Sequence, residues 1–140
     1  MRIGFRTGAM AMAIAVILFT TVIGVVYANR TEFSPDEARQ RIREGKYDVI
    51  VDVRTLKEWA AGHRSDAISV PIGEFVTEFP KKVPNRDARI LFVCRKGIRA
   101  SAAALMARKK GYTHVHSVTG DHDGLVDGVG TDNTRLSFSK

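Results

Sequence analysis

The chain has only one cysteine, Cys94, among 140 residues. No intrachain disulfide can form in any redox compartment, and no zinc site built on several cysteines is available. Charged residues are missing altogether from Thr7 to Asn29. No run of five or six like charges occurs, and no stripe interleaves aromatic with basic side chains, so the excess of cations lacks a nucleic-acid binder's footprint. Internal repeats and low-complexity tracts are absent too. What remains is one compact domain's worth of chain behind an apolar start.

That start has the layout of a secretory signal. Arg2 and Arg6 precede an apolar run, Met10 to Phe19, and Val26-Tyr27-Ala28 offers small residues at −3 and −1 of a cut before Asn29. About 20 uncharged residues can equally span a bilayer as an uncleaved anchor. Residues 1–28 are therefore a signal peptide or a membrane anchor, and residues 29–140 the domain. Both readings place the domain outside the cytoplasm, periplasmic or otherwise extracytoplasmic. The net charge is +7, and losing Arg2 and Arg6 leaves +5, a basic surface suited to small anions.

Along the domain, Ser34-Pro35-Asp36-Glu37 is a helix start with a cap, a proline at the first position and acids in the first turn. The helix runs to Gly45, and Tyr47 to Val53 then reads as a strand buried on both faces. Thr55-Leu56-Lys57-Glu58 has the spacing of a capping box, opening a short helix that stops at Gly62. Ala67 to Val70 is a second strand, and Glu74 to Phe79 a helical turn or two ended by Pro80 and Pro84. Arg89 to Val93 is a third strand, a helix follows from about Arg99 to Gly111, and His114 to Val118 is a fourth strand. Helices alternating with short apolar strands predict an α/β fold around a parallel sheet, whose ligands gather at the strands' carboxyl ends.

Cys94 stands at such an end. Its loop, Cys94 to Arg99, leads into a helix whose first N–H groups have no partner within it and whose dipole is positive there. Gly97 lets the chain curl so that successive N–H groups line a concave anion site. Arg95, Lys96 and Arg99 ring it with full charges. A thiol in that setting is expected to be a thiolate near neutral pH. The same sequence also suits a basic strand–loop–helix connection around an inert, buried cysteine.

The loop CRKGIRAS, the upstream IVDVRTLKEWAAGH, the opening SPDEARQRI and the stretch GYTHVHSVTG together resemble a single-domain rhodanese, a sulfurtransferase. With the export signal, VPNRDARILFVCRKGIRAS is similar to the small periplasmic rhodaneses of the bacterial phage-shock type. The likeness covers roughly Phe33 to Gly120. It implies a rhodanese-like parallel sheet flanked by helices, with its core at about residues 33–128 and a C-terminal tail beyond it. It also implies that Cys94 attacks the outer sulfur of thiosulfate and becomes a persulfide, which a thiol or cyanide then discharges. Arg95, Lys96 and Arg99, with the Gly97 and Ile98 backbone, would bind the anionic donor. No cofactor, metal or nucleic acid is implied, and a monomer is expected. A persulfide carrier or binding module without turnover is the alternative. Related phosphatases and arsenate reductases place an arginine six residues after the cysteine, where this chain has Ala100.

Asp52, Arg54, Glu58 and His63 match a second signature of that family. On the functional reading some of these face the active site. On the plainer one Asp52 and Arg54 pair with neighbouring backbone or with each other near the strand end, and His63 ties down a turn. The chain departs from the family at Arg64-Ser65-Asp66 and again in TGDHDGLVDGVGTDN, where a Gly-Gly and a Trp-containing helix are usual. In that tail Asp121, His122, Asp123 and Asp127 invite a calcium loop. Leu125 at the fifth ligand position and Val126 at the turn glycine rule the template out. His114 and His116 share a strand face with no third ligand evident.

Overall fold

The structure is a computed structural model and describes residues 4–28 and 30–120. It divides into two units between Arg30 and Thr31. In the first, α1 runs from Gly4 to Ala28, and its large apolar side chains from Met10 to Val25 are exposed. Among the described residues no helix is long and apolar enough to cross a membrane.

The second unit is an α/β domain. Its elements are β1 (Glu32–Phe33), α2 (Pro35–Arg43), β2 (Val49–Asp52), α3 (Leu56–Ala61), β3 (Ala67–Ser69), a 3-10 turn (Ile72–Glu74), α4 (Phe75–Lys82), β4 (Ile90–Val93), α5 (Ile98–Lys109) and β5 (Val115–Val118). The strands form one parallel sheet in the order β1-β5-β4-β2-β3. Both helix starts that the sequence marks are closed as capping boxes, Ser34 with Glu37 and Thr55 with Glu58.

Alternation along the central strands divides the core between two faces. Val51 of β2, with Ile90 and Phe92 of β4, packs beneath α4 and α5. Ile50, Leu91 and Val93 point the other way, toward Phe33 and Ala38. On the first face Phe75, Phe79, Phe92 and Tyr112 meet at ring-centroid distances of 4.5 to 5.5 Å. Ala100, Ala103, Ala104 and Ala107 form the buried stripe of α5, small enough to seat the helix against the sheet.

Two expectations change. Helix α4 does not stop before Pro80 but carries it inside and continues to Lys82. A proline six residues into an eight-residue helix removes one intrahelical bond, while Val83 N–H still donates to the Phe79 carbonyl at 2.9 Å. The burial of Phe75 and Phe79 fixes the segment. A fifth strand, β1, also joins the sheet edge beside β5, held by Thr119 N–H on the Phe33 carbonyl. Two residues are too few for any periodic signal.

Strand register joins two distant parts of the chain. Asp52, the last residue of β2, lies opposite Val93, the last of β4. The segments leaving these strands therefore emerge side by side at one carboxyl edge, although they lie about 40 residues apart in the chain.

Candidate active site

Cys94 follows β4 directly and lies on the face covered by α5. Its Sγ accepts N–H bonds from Gly97 at 3.1 Å and Ala100 at 3.4 Å, and the residue is 1% exposed. The sulfur thus sits where the first turn of α5 aims its unpaired donors. A negative sulfur, whether thiolate or persulfide, is the form such donors favour.

Gly97 makes this turn possible for two separate reasons. Its φ is +83°, a left-handed conformation that side chains disfavour. A Cβ built there would also stand 2.9 Å from Thr119 Cα and 3.0 Å from the Val118 carbonyl oxygen. The loop is pressed against the end of β5, and only a bare backbone fits.

The cations divide. Arg95 and Lys96 are exposed at the rim, as is Ile98, the first residue of α5, at 78%. Arg99 is not an open rim charge. Its Nη1 and Nη2 donate to the two carboxylate oxygens of Glu58 at 2.6 and 2.9 Å. That bidentate bond holds the Glu58 carboxyl well below its ordinary range and raises Arg99. Glu58 also accepts the Thr55 N–H of its own capping box. The sequence shows Glu58 as a capping residue and a member of the second signature, but nothing in a linear pattern links residue 58 to residue 99.

Asp52 and Arg54 are both about 1% exposed and paired. Arg54 donates to Asp52 through its backbone N–H at 2.9 Å and its Nε at 2.9 Å, and its Nη2 reaches the Gly62 carbonyl at 2.6 Å. This buried pair fastens the end of β2 to the end of α3. His63 lies outside it, its Nδ1 2.9 Å from the Trp59 carbonyl and its ring stacked on Trp59 at 3.7 Å. Arg54 of the pair and residues of α3 form a wall beside the cysteine loop.

Between that wall and the loop is a cavity of about 310 Å³, lined by Arg54, Lys57, Glu58, Ala61 and Arg95. A broader depression, about 420 Å³ along α2, mixes Glu37, Glu44, Arg41 and Lys46, and its helix covers the other face of the sheet. Among the described residues no cluster of three or more His, Cys, Asp or Glu could hold a metal. Asp121, His122, Asp123 and Asp127 lie outside the described residues. His116 packs edgewise on Tyr47 and at a tilt against Phe33, and His114 is exposed.

A family model for the rhodanese-like domain matches residues 34–126. Among curated proteins, a tRNA uridine(34) hydroxylase of Buchnera aphidicola subsp. Baizongia pistaciae is 34% identical over 83 residues, covering 55% of this chain and 26% of that protein. A tRNA uridine(34) hydroxylase of Xanthomonas campestris pv. campestris is 32% identical over 107 residues, covering 69% and 42%. The chain thus spans from about a quarter to about two fifths of the length of these relatives. Among solved structures, the human single-domain sulfurtransferase TSTD1 superposes with a TM-score of 0.58 over 80% of this chain and 100% of that one. At 22% identity that likeness is one of fold.

Proposed function

The chain belongs to the rhodanese-like domain family, and on that footing we propose that it is a sulfurtransferase working through Cys94. The observation that carries the proposal is the sulfur cradle, with Gly97 and Ala100 N–H groups aimed at Sγ. In the first half-reaction the Cys94 thiolate attacks the outer sulfur of thiosulfate. The bond from that sulfur to the sulfonate breaks, its electron pair leaves with sulfite, and Cys94 keeps a persulfide. In the second, cyanide or a thiolate attacks the outer sulfur and the Cys94 thiolate returns. Two half-reactions through a covalent intermediate give ping-pong kinetics.

Lys96 and Arg95 supply the positive rim that draws in a dianionic donor. Arg99, its charge matched by Glu58, positions the start of α5 instead. The basic segment and apolar run before Asn29 support export through a signal cut after Ala28. N-terminal sequencing of the mature protein tests this, and a chain still beginning at Met1 would count against the cut.

A second reading is a carrier that holds a persulfide without turnover. The 1% exposure of Cys94 favours it, since an outside acceptor must reach a nearly enclosed sulfur. The names of the curated relatives raise uridine hydroxylation in tRNA as a third reading, but they describe whole proteins of which this chain matches a minor part. Thiocyanate formation from thiosulfate and cyanide decides between enzyme and carrier. The wild type should turn over many times and Cys94→Ser fall to background; equal rates would sink the enzyme reading.

A further inference from the structure

The cavity beside the cysteine loop is larger than the donor needs. Thiosulfate has five heavy atoms, whereas about 310 Å³ is the liquid share of roughly ten water molecules. Two of the charges lining it are already matched: Arg54 is held by Asp52, and Glu58 by Arg99. Lys57, exposed on the first turn of α3, forms no ion pair among the described residues. The cavity therefore offers an ammonium group to a second anionic molecule, across from the loop that holds the sulfur.

We propose that Lys57 is a specificity-determining residue for the second half-reaction, holding the carboxylate of a small anionic thiol while its sulfur meets the persulfide. The inference rests on the sulfurtransferase reading of Cys94. In the step itself the acceptor thiolate forms a bond to the outer sulfur. The bond between that sulfur and Cys94 Sγ breaks, its electron pair stays on Sγ, and the acceptor leaves as a persulfide anion. Nothing is oxidised or reduced overall, so no further reagent is needed. Carboxylate and ammonium at a solvent-open rim give discrimination of a few fold, the scale of an exposed ion pair.

The test compares two acceptors with saturating thiosulfate, 3-mercaptopropionate and the neutral 2-mercaptoethanol. The ratio of their kcat/KM values is measured in the full-length wild type, Lys57→Ala, Lys57→Glu and Lys57→Arg. Expressing each ratio relative to wild type cancels the intrinsic reactivity of the two thiols. The ratio should fall about three- to five-fold in Lys57→Ala, further in Lys57→Glu, and be restored in Lys57→Arg. An unchanged ratio in Lys57→Glu overturns the proposal even with sulfur transfer intact. Wild-type protein that makes no thiocyanate from cyanide overturns the sulfurtransferase reading, and this inference with it, so the two failures are distinguishable.

Discussion

Glu58 and Arg99, 41 residues apart in the chain, form a two-pronged ion pair that ties helix α3 to the first turn of α5. Register explains their meeting, since β2 and β4 end opposite one another and release both helices at the same edge. The pair engages both terminal nitrogens of Arg99 and so braces the start of the helix that follows the cysteine loop.

Glu58→Gln removes that brace and keeps a side chain able to cap Thr55. Charge-assisted bonds contribute about 1.5–3 kcal/mol when sheltered. Here both side chains are over a quarter exposed, so about 1 kcal/mol is expected from urea unfolding at neutral pH. The folded Glu58 carboxyl lies below its unfolded value, about 4.3. Its contribution is therefore complete above that pH and lost as pH falls further. Wild type and Glu58→Gln should differ most at neutral pH and converge in acid.

Gly97→Ala meets both left-handed backbone and a close approach to the backbone of Val118 and Thr119. Backbone cannot swing aside as a side chain can. Roughly 2–4 kcal/mol of destabilisation is expected from combined strain and overpacking, read by urea unfolding. Sulfur loading should fall even where the variant remains folded.

Asp52→Asn leaves the Arg54 guanidinium buried without its counter-charge. Losing one partner of a buried pair costs about 3–5 kcal/mol, whereas replacing both by apolar residues costs far less. Asp52→Leu with Arg54→Met should unfold at higher urea than Asp52→Asn. The reverse order would show the pair to be peripheral to folding.

Burial of His116, reinforced by Arg41, Arg108 and His114, lowers its pKa below the unfolded value of about 6.5. The unfolded chain therefore takes up a proton more readily. Stability is greatest above that pH and declines as pH falls through it. In His116→Phe this segment of the stability curve should flatten between pH 8 and pH 5, measured by urea unfolding.

Much of the fold is legible in the chain. Ser34 with Glu37 and Thr55 with Glu58 announce helix starts through local spacing, and both boxes form. Cys94, Gly97 and the start of α5 are neighbours in sequence, so their cradle can be argued from the chain alone. Arg99 with Glu58 is hidden, because strand register decides that contact and no spacing encodes it. The path of α4 through Pro80 is hidden as well, since burial of Phe75 and Phe79 outweighs a local break. Strand β1 exists only because β5 offers it an edge.

The central claim is that the Cys94 sulfur carries a second sulfur. Intact-mass spectrometry of the protein after exposure to thiosulfate measures this directly. The account predicts a gain of one sulfur atom that cyanide removes and that Cys94→Ser never acquires. Unaltered mass in the wild type, or the same gain in Cys94→Ser, would contradict it.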